Sequence, residues 1–221
     1  MFEATRFLRW GLLVTLLAMA GCAAPPKHYD YTAFKQSKPA SLLVLPPLNE
    51  TPDVNATSGV LSQMSYPLAE AGYYVLPVSL VTETLRQNGM TDPHDAQAIA
   101  PAKLRDIFGA DAGVYIEVKK YGASYQVVAS NLTVEVAAKV VDLRTGALLW
   151  EGRAVASSAE QGNSQGGLIG LLVKAVVEQI ANNLSDTRNL QFANLAAQRL
   201  FLPHGVNGML YGPRSPNYGK D

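Results

Sequence analysis

The chain has few of the residues on which metal and thiol chemistry depend. Its 221 residues include one cysteine, so no disulfide can close within the chain. There are three histidines, too few for a usual zinc site without help from carboxylates. His28, His94 and His204 are far apart in sequence, and no two of them have the i,i+4 spacing of a helical metal pair. We therefore expect no metal and no cofactor.

Net charge is also absent, which excludes another group of functions. The 18 Lys and Arg residues balance the 18 Asp and Glu residues, so no positive field attracts nucleic acid. Charged residues make up only 16% of the chain and hydrophobic residues 48%, a composition typical of a globular protein. We expect a folded protein that does not bind nucleic acid.

The first 21 residues have the layout of a secretory signal peptide. Arg6 and Arg9 precede a short apolar stretch, which ends in the run Met19-Ala20-Gly21 directly before Cys22. This stretch is too short to span a membrane as a helix. Residues 1–21 are therefore predicted to be removed, so that the mature chain begins at Cys22.

The run Met19-Ala20-Gly21-Cys22 resembles the lipobox of bacterial lipoproteins, with Met19 where leucine is commonest. The resemblance implies a covalent lipid on the Cys22 sulfur, with acyl chains such as palmitate. Each buried methylene contributes about 0.8 kcal/mol, so two or three chains anchor the protein in a membrane. Ala23 follows where an aspartate signals retention in the inner membrane. This implies the outer membrane, with the periplasmic face favoured and surface exposure left open.

The mature chain divides into three parts. Residues 22–40 are polar and contain three prolines, which predicts a lipidated tether or loosely docked arm. Residues 41–202 carry the core signals of a single α/β domain. Residues 203–221 contain four glycines and three prolines, which predicts an irregular C-terminal tail with a loose coil.

The domain opens with a βαβ pattern. Residues 41–46 form a short, continuously apolar run, which is typical of a strand covered on both faces. Apolar residues then recur at helical spacing over residues 60–69, and a second β-rich run follows at residues 73–78. Residues 79–88 and 95–108 predict two short helices.

An antiparallel meander follows. From Ala112 apolar residues occur at every second position instead of at helical spacing, which is typical of a strand. The same alternation recurs over residues 132–140. The expected fold class is therefore α/β (α+β), a mixed β-sheet with a βαβ opening, an antiparallel meander and packed helices. The inward positions of the returning strand are predicted to be Leu148, Trp150, Gly152, Ala154 and Ala156.

Two helical segments end the domain, residues 168–184 and residues 194–202. The apolar side chains of the first cover more than one helical face, and Lys174 interrupts them well before membrane-spanning length. This helix is either buried against the sheet or shared between the sheet and a second subunit, most simply in a dimer. The candidate oligomer contacts are Leu168, Leu172, Val173 and Val176.

No motif in the chain favours catalysis. The glycine-rich residues 162–167 precede a helix but lack the Gly-Lys-Ser or Gly-Lys-Thr of a phosphate-binding loop. Ser157, Ser158 and Ser164 lack the Gly-x-Ser-x-Gly context of a hydrolase nucleophile. We therefore expect a protein without catalytic residues that is not an enzyme.

Three runs of strand and turn residues are Leu43-Val44-Leu45-Pro46-Pro47, residues 67–77, and Val141-Asp142-Leu143-Arg144-Thr145-Gly146 with Leu149-Trp150. They resemble a family of Gram-negative outer-membrane lipoproteins known from a meningococcal vaccine-candidate antigen. The last of these runs also resembles the strand-turn-strand of the curli-secretion lipoprotein CsgG, and the general layout is similar to the TolB amino-terminal domain. The resemblance implies a mixed-sheet α/β domain, secretion-linked surroundings and a CsgG-like pore lipoprotein as partner.

These observations favour a non-enzymatic outer-membrane lipoprotein that forms oligomers and serves as an accessory to secretion or envelope assembly beside a CsgG-like partner. The alternative is a periplasmic carrier of a lipid or peptide, which requires an apolar cavity near Trp150 and the helix at Leu168. A third hypothesis, an envelope hydrolase, requires a nucleophile and base that the sequence does not offer.

Overall fold

The computed structural model of the chain describes residues 28–125, 130–162, 185–203 and 207–220. The helices are α1 (Thr32–Ser37), α2 (Ala56–Glu70), α3 (Val78–Gln87), α4 (Pro93–Ala98), α5 (Pro101–Phe108) and α6 (Ser185–Phe201), with a 3₁₀ helix at Ser158–Gly162. The strands are β1 (Ser41–Val44), β2 (Leu48–Asn49), β3 (Tyr74–Val75), β4 (Ala112–Lys120), β5 (Ala123–Tyr125), β6 (Ser130–Asp142) and β7 (Leu148–Ser157).

The strands form one mixed sheet, as predicted. Its order is β3-β1-β4-β6-β5, with β2 paired to β4 and β7 paired to β6. Strands β1 and β3 are parallel neighbours joined through α2, which confirms the βαβ opening. Strands β4, β6 and β7 pair antiparallel in sequence order, which confirms the meander. The short strand β5 adds an antiparallel pair at the start of β6.

Strand β1 is buried on both faces, as its continuous apolar run predicts. Leu42 and Val44 face a core formed with α2, α6 and the long strands. Leu43 and Leu45 face a second core formed with α3, α4 and α5. A strand with apolar side chains on both sides is stable only between two layers, so β1 requires helices on both faces of the sheet.

The helices differ from the prediction at two places. Residues 95–108 form two helices, because Ile99 and Ala100 adopt extended conformations before Pro101 begins α5. A residue that precedes proline is disfavoured in the helical region, and proline is well suited to the first helical position. Helix α6 begins at Ser185, nine residues earlier than predicted, and its small residues Ala193 and Ala197 are fully buried.

A β-bulge changes the predicted face of Leu148. The register between β6 and β7 shifts between Val140 and Val141, and Leu149 is the additional residue on β7. Leu148 is consequently 43% exposed, whereas Leu149 is buried at 1% exposure. The predicted inward position of Leu148 is therefore wrong. Trp150 is buried as predicted.

The described part of the predicted tether is docked on the domain. Residues 32–37 form helix α1, whose Phe34 is buried in the main core. The Tyr29 amide donates to Asn207 Oδ1 at 2.6 Å, and the Tyr31 hydroxyl donates to the Gly208 carbonyl. Although this arm is mostly polar, its few large side chains are sufficient to hold it against the domain.

The C-terminal residues 207–220 contain no helix or strand, but they are not a loose coil. Met209 and Leu210 are buried in the core. The Tyr73 hydroxyl donates to the Leu210 carbonyl at 2.7 Å, and the Gly212 amide donates to the Ala71 carbonyl at 2.8 Å. A Cβ on Gly212 would lie 2.5 Å from the Gly72 carbonyl oxygen, so only glycine permits this approach. The tail therefore packs beside the end of α2.

Gly152 leaves space for the indole ring of Trp150 on the same face of β7. A Cβ at residue 152 would lie 2.3 Å from the Trp150 ring, and this ring is held within the core. We expect Gly152→Ala to lower the free energy of unfolding by about 1–3 kcal/mol, because a well-packed core must shift to accept the methyl group. Urea denaturation followed by circular dichroism measures the change.

The matched control is the same substitution in a Trp150→Phe background. A smaller ring leaves room for the methyl group, so the cost of Gly152→Ala should shrink by at least half in that background. An equal cost in both backgrounds would show that contact with the indole ring is not the cause.

Candidate functional site

Several residues predicted from the sequence lie outside the part of the chain that the structure describes. Their roles as lipid attachment, cleavage and oligomer contact sites remain predictions. They are Cys22, its cleavage motif Met19, Ala20 and Gly21, and the candidate oligomer contacts Leu168, Leu172, Val173 and Val176.

The end of the domain nearest the predicted lipid anchor is built by the two terminal segments. His28 is the sixth residue after Cys22, and a chain of this length spans about 20 Å at most. Beyond His28, the Tyr29 and Tyr31 rings lie 5.0 Å apart and pack against residues 207 and 208. Helix α1 is consequently on the side of the domain that is closest to the anchor.

A buried carboxylate, Asp142, joins α1 to the meander. Its Oδ2 accepts from Ser37 Oγ at 2.5 Å and from the Arg144 guanidinium at 3.1 Å. Its Oδ1 accepts from the Arg144 and Thr145 amides at 2.7 and 3.1 Å. Arg144 also donates to the Ser37 carbonyl at 2.7 Å. The turn between β6 and β7 thus holds the C-terminal end of α1.

The hydrogen bonds outweigh the cost of burying this charge. Burial raises the pKa of Asp142, whereas the bonds from Ser37, from the Arg144 side chain and from the amides of Arg144 and Thr145 lower it, with a resulting pKa of about 2. Asp111 makes a similar link, since its Oδ2 accepts from the Ala40 and Ser41 amides and from Ser41 Oγ. Burial opposes ionisation there as well, but the bonds hold its pKa below the ordinary value. Both carboxylates have structural roles.

A separate surface lies on the face of β4, β6 and β7 that points away from α6. It carries Glu117, Lys139, Glu151 and Arg153, which surround a shallow cleft of about 310 Å³. Tyr115 closes one side of this cleft, and burial raises the pKa of its hydroxyl. Helices α3, α4 and α5 pack on this side of the sheet at β1 and beside Tyr115, and we call the remaining surface around Glu117, Lys139, Glu151 and Arg153 the open face.

Glu135 is the most buried charged group beside the open face. It is only 2% exposed, and it forms ion pairs with Arg153 and, at 3.1 Å, with Lys120. A buried carboxylate is stable only when it is paired, so Glu135 fixes the positions of two cations at the edge of the open face. The alternation of apolar and polar residues along β6 predicts that Glu135 faces outward, but it does not predict that Glu135 is buried.

Two arrangements that catalysis often uses are not found among the described residues. These residues contain no group of three or more His, Cys, Asp and Glu that could hold a metal ion. The serines that bond to carboxylates, Ser37 and Ser41, are tied into structural links rather than to a histidine. Across residues 28–125, 130–162, 185–203 and 207–220, no helix is long and apolar enough to cross a membrane.

Comparison with known proteins places this architecture among bacterial lipoproteins. The chain is 51% identical over 203 residues to the lipoprotein NMB1124/NMB1162 of Neisseria meningitidis serogroup B, with 91% of this chain and 94% of that protein covered. It also resembles the crystal structure of lipoprotein GNA1162 from Neisseria meningitidis, at 54% identity and a TM-score of 0.53. That match covers 66% of this chain and all of the other.

The fold and these relatives define an α/β lipoprotein domain with a mixed sheet. Residues 29–214 match the lipoprotein family described as GNA1162-like, and the chain belongs to this family. The resemblance drawn from the strand and turn runs is therefore confirmed, as is the predicted fold class. The family description names no enzymatic activity.

The pKa of Asp142 predicts how stability depends on pH. A folded-state pKa below the ordinary value stabilises the fold at pH above about 4, and this contribution of about 2 kcal/mol is lost as the pH falls towards 2. We expect Asp142→Asn to lower the free energy of unfolding by about 2 kcal/mol at neutral pH, with the difference vanishing near pH 2. Urea denaturation at a series of pH values measures this.

Asp106→Asn is the control, because Asp106 is exposed on α5. Its free energy of unfolding should equal that of the unsubstituted protein at each pH measured. A difference for Asp142→Asn that stays constant down to pH 2 would contradict an ionised, hydrogen-bonded carboxylate.

Proposed function

We propose that the chain is an outer-membrane lipoprotein, anchored through lipid on Cys22 with its domain on the periplasmic face. The domain has no catalytic role and forms an oligomer that assists secretion or envelope assembly. A CsgG-like pore lipoprotein is its proposed partner. This keeps the role expected from the sequence and adds to it a surface on which a protein partner can dock.

The observation that carries the proposal is the open face. Its rigid strands present Glu117, Lys139, Glu151 and Arg153 in fixed positions. Charges of both signs at defined spacing favour recognition of a protein surface with the opposite pattern, and they disfavour a polyanion. Because ion pairs fix Arg153 beside Glu135, this part of the face needs little ordering when a partner binds.

The oligomer contact is proposed on the sequence pattern alone. The apolar stripe of Leu168, Leu172, Val173 and Val176 is wider than one buried helical face needs. We expect a second copy of the chain to cover it, most simply in a dimer with twofold symmetry.

A carrier of a small lipid or peptide is the alternative. Among the described residues, Trp150 is buried and its ring packs 6.1 Å from that of Phe201. The helix at Leu168, the other wall of the expected cavity, lies outside the described residues. A cleft of about 330 Å³ does exist between α1 and the C-terminal segment, with Phe34 and Leu210 in its lining. This volume is suited to a small ligand and keeps the alternative open to test.

The first test is recovery of the lipidated protein from its native envelope in mild detergent, with mass spectrometry of what accompanies it. We expect a CsgG-like pore lipoprotein in a fixed ratio to the protein. Lys139→Glu reverses one charge of the open face and should reduce this recovery at least tenfold. Lys103→Glu makes the same change on α5, outside the open face, and should leave recovery unchanged.

Two further outcomes are informative. Cys22→Ser should abolish labelling by radioactive palmitate and release the protein from the membrane fraction, whereas retained labelling would contradict the anchor. Recovery of the protein with only itself would contradict the pore partner. A small molecule bound to it in native mass spectrometry would then favour the carrier.

The oligomer contact is tested by Val173→Glu, which places a charge in the apolar stripe. We expect the mass in analytical ultracentrifugation to fall to that of a single chain, because an unpaired charge cannot be buried in the contact. Gln179→Glu adds the same charge at a polar position of the same segment and should leave the mass unchanged.

Circular dichroism shows whether the Val173→Glu variant remains folded. A folded variant of unchanged mass would overturn the proposal that a second copy of the chain covers this stripe.

A further inference from the structure

The cleft between α1 and the C-terminal segment combines an apolar interior with a basic rim. Its interior includes the side chains of Phe34 and Leu210, and Tyr211 and Tyr218 form part of its wall. Lys35 and Lys38 stand at its edge. We call this the α1 cleft. Its volume of about 330 Å³ is sufficient for a polar headgroup or the first part of an acyl chain, but not for a whole phospholipid.

The two lysines of the α1 cleft have no acidic partner among the described residues. Neither forms an ion pair or a side-chain hydrogen bond there, unlike Lys119, which pairs with two glutamates. Both side chains are exposed. Their charges are therefore available to an external anion, held at fixed spacing by the end of one short helix.

Lys38 is kept in an unfavourable backbone conformation. It ends α1 with φ 46° and ψ 56°, in the left-handed region where glycine is the usual residue. A lysine in this position costs about 1 kcal/mol relative to relaxed backbone. Such strain is often retained where a side chain has a function, and here the strained residue carries a cation at the edge of the α1 cleft.

The surroundings of the α1 cleft are basic although the whole chain is neutral. Residues 28–40 and 207–220 contain four basic residues and one acidic residue, Asp30. One of the four, Arg214, lies 5.2 Å from the centre of the Tyr74 ring. Tyr218 is 44% exposed at the cleft. Basic and tyrosine side chains together are typical of surfaces that contact the headgroup region of a membrane.

The distance from the anchor places this surface near the bilayer. Lys35 and Lys38 lie 13 and 16 residues after Cys22, and folded structure begins before Thr32. The residues between Cys22 and His28 reach about 20 Å at most, so the α1 side of the domain cannot move far from the membrane once the lipid is inserted.

We propose that the α1 cleft binds the headgroup of an anionic phospholipid in the membrane that carries the anchor. The ammonium groups of Lys35 and Lys38 contact the lipid phosphate, and Tyr218 lies at the level of the headgroups. This second contact fixes the orientation of the domain on the membrane. The orientation rests on the proposed lipid on Cys22, whereas headgroup binding does not.

The test uses the mature chain from residue 22 with Cys22→Ser, so that no covalent lipid contributes. Binding is measured by co-sedimentation with vesicles of equimolar phosphatidylglycerol and phosphatidylcholine, and with vesicles of phosphatidylcholine alone. We expect binding to the anionic vesicles only, weakened by salt because the contacts are electrostatic.

Two lysine substitutions measure the contribution of the cleft. Lys35→Gln and Lys38→Gly should each weaken binding roughly fivefold, and the double variant about 25-fold, since each cation near an anionic surface contributes independently. Lys38→Gly suits the left-handed conformation, so loss of binding cannot be attributed to unfolding. Lys103→Gln removes a charge on α5, away from the cleft, and should bind normally.

Three results would overturn the proposal. They are no binding of the unsubstituted chain to the anionic vesicles, equal binding to phosphatidylcholine alone, and equal loss in Lys103→Gln and the cleft variants. Binding of soluble dihexanoyl phosphatidylglycerol without binding to vesicles also overturns it and favours the carrier. Palmitate labelling of the unmodified protein tests the anchor separately, so failure of the anchor and failure of the cleft are distinguishable.

Discussion

Burial of β1 on both faces is the constraint on which the rest of the fold depends. Leu42 and Val44 require one apolar layer, and Leu43 and Leu45 require another. The first layer is supplied by α2 and α6 and the second by α3, α4 and α5. Because the parallel pairing of β1 with β3 and β4 places it inside the sheet, neither layer can be lost without exposing a continuous apolar strand to water.

The antiparallel half of the sheet follows a different rule. Strands β4, β6 and β7 have one apolar face under α6 and one face rich in charge, which is what alternating sequences produce. The helices are thus concentrated where both faces are apolar, and the open face is the consequence of their absence. Under the two proposals, the α1 cleft is the surface that contacts lipid and the open face is the surface that binds a protein partner.

Local patterns predicted most of the elements because their causes are local. The apolar run at residues 41–46 and the alternation over residues 132–140 indicate the position and length of β1 and β6 without reference to distant residues. Local patterns did not decide the outcome where it depends on a distant partner. The bulge that exposes Leu148 depends on the register with β6, and the docking of residues 28–40 depends on partners more than 170 residues away, at Asn207 and Gly208.

By itself, the sequence predicted the βαβ opening and the meander, which the structure confirms, and it indicated a signal peptide and a lipobox, which stay predictions. These depend on neighbouring residues and on composition. Only the tertiary structure decided that Asp142 holds α1, that Glu135 is buried, and that Lys35 and Lys38 border a cleft with Leu210. Each of these brings together residues far apart in the chain, and the proximity exists only because the sheet and its two helical layers close around β1.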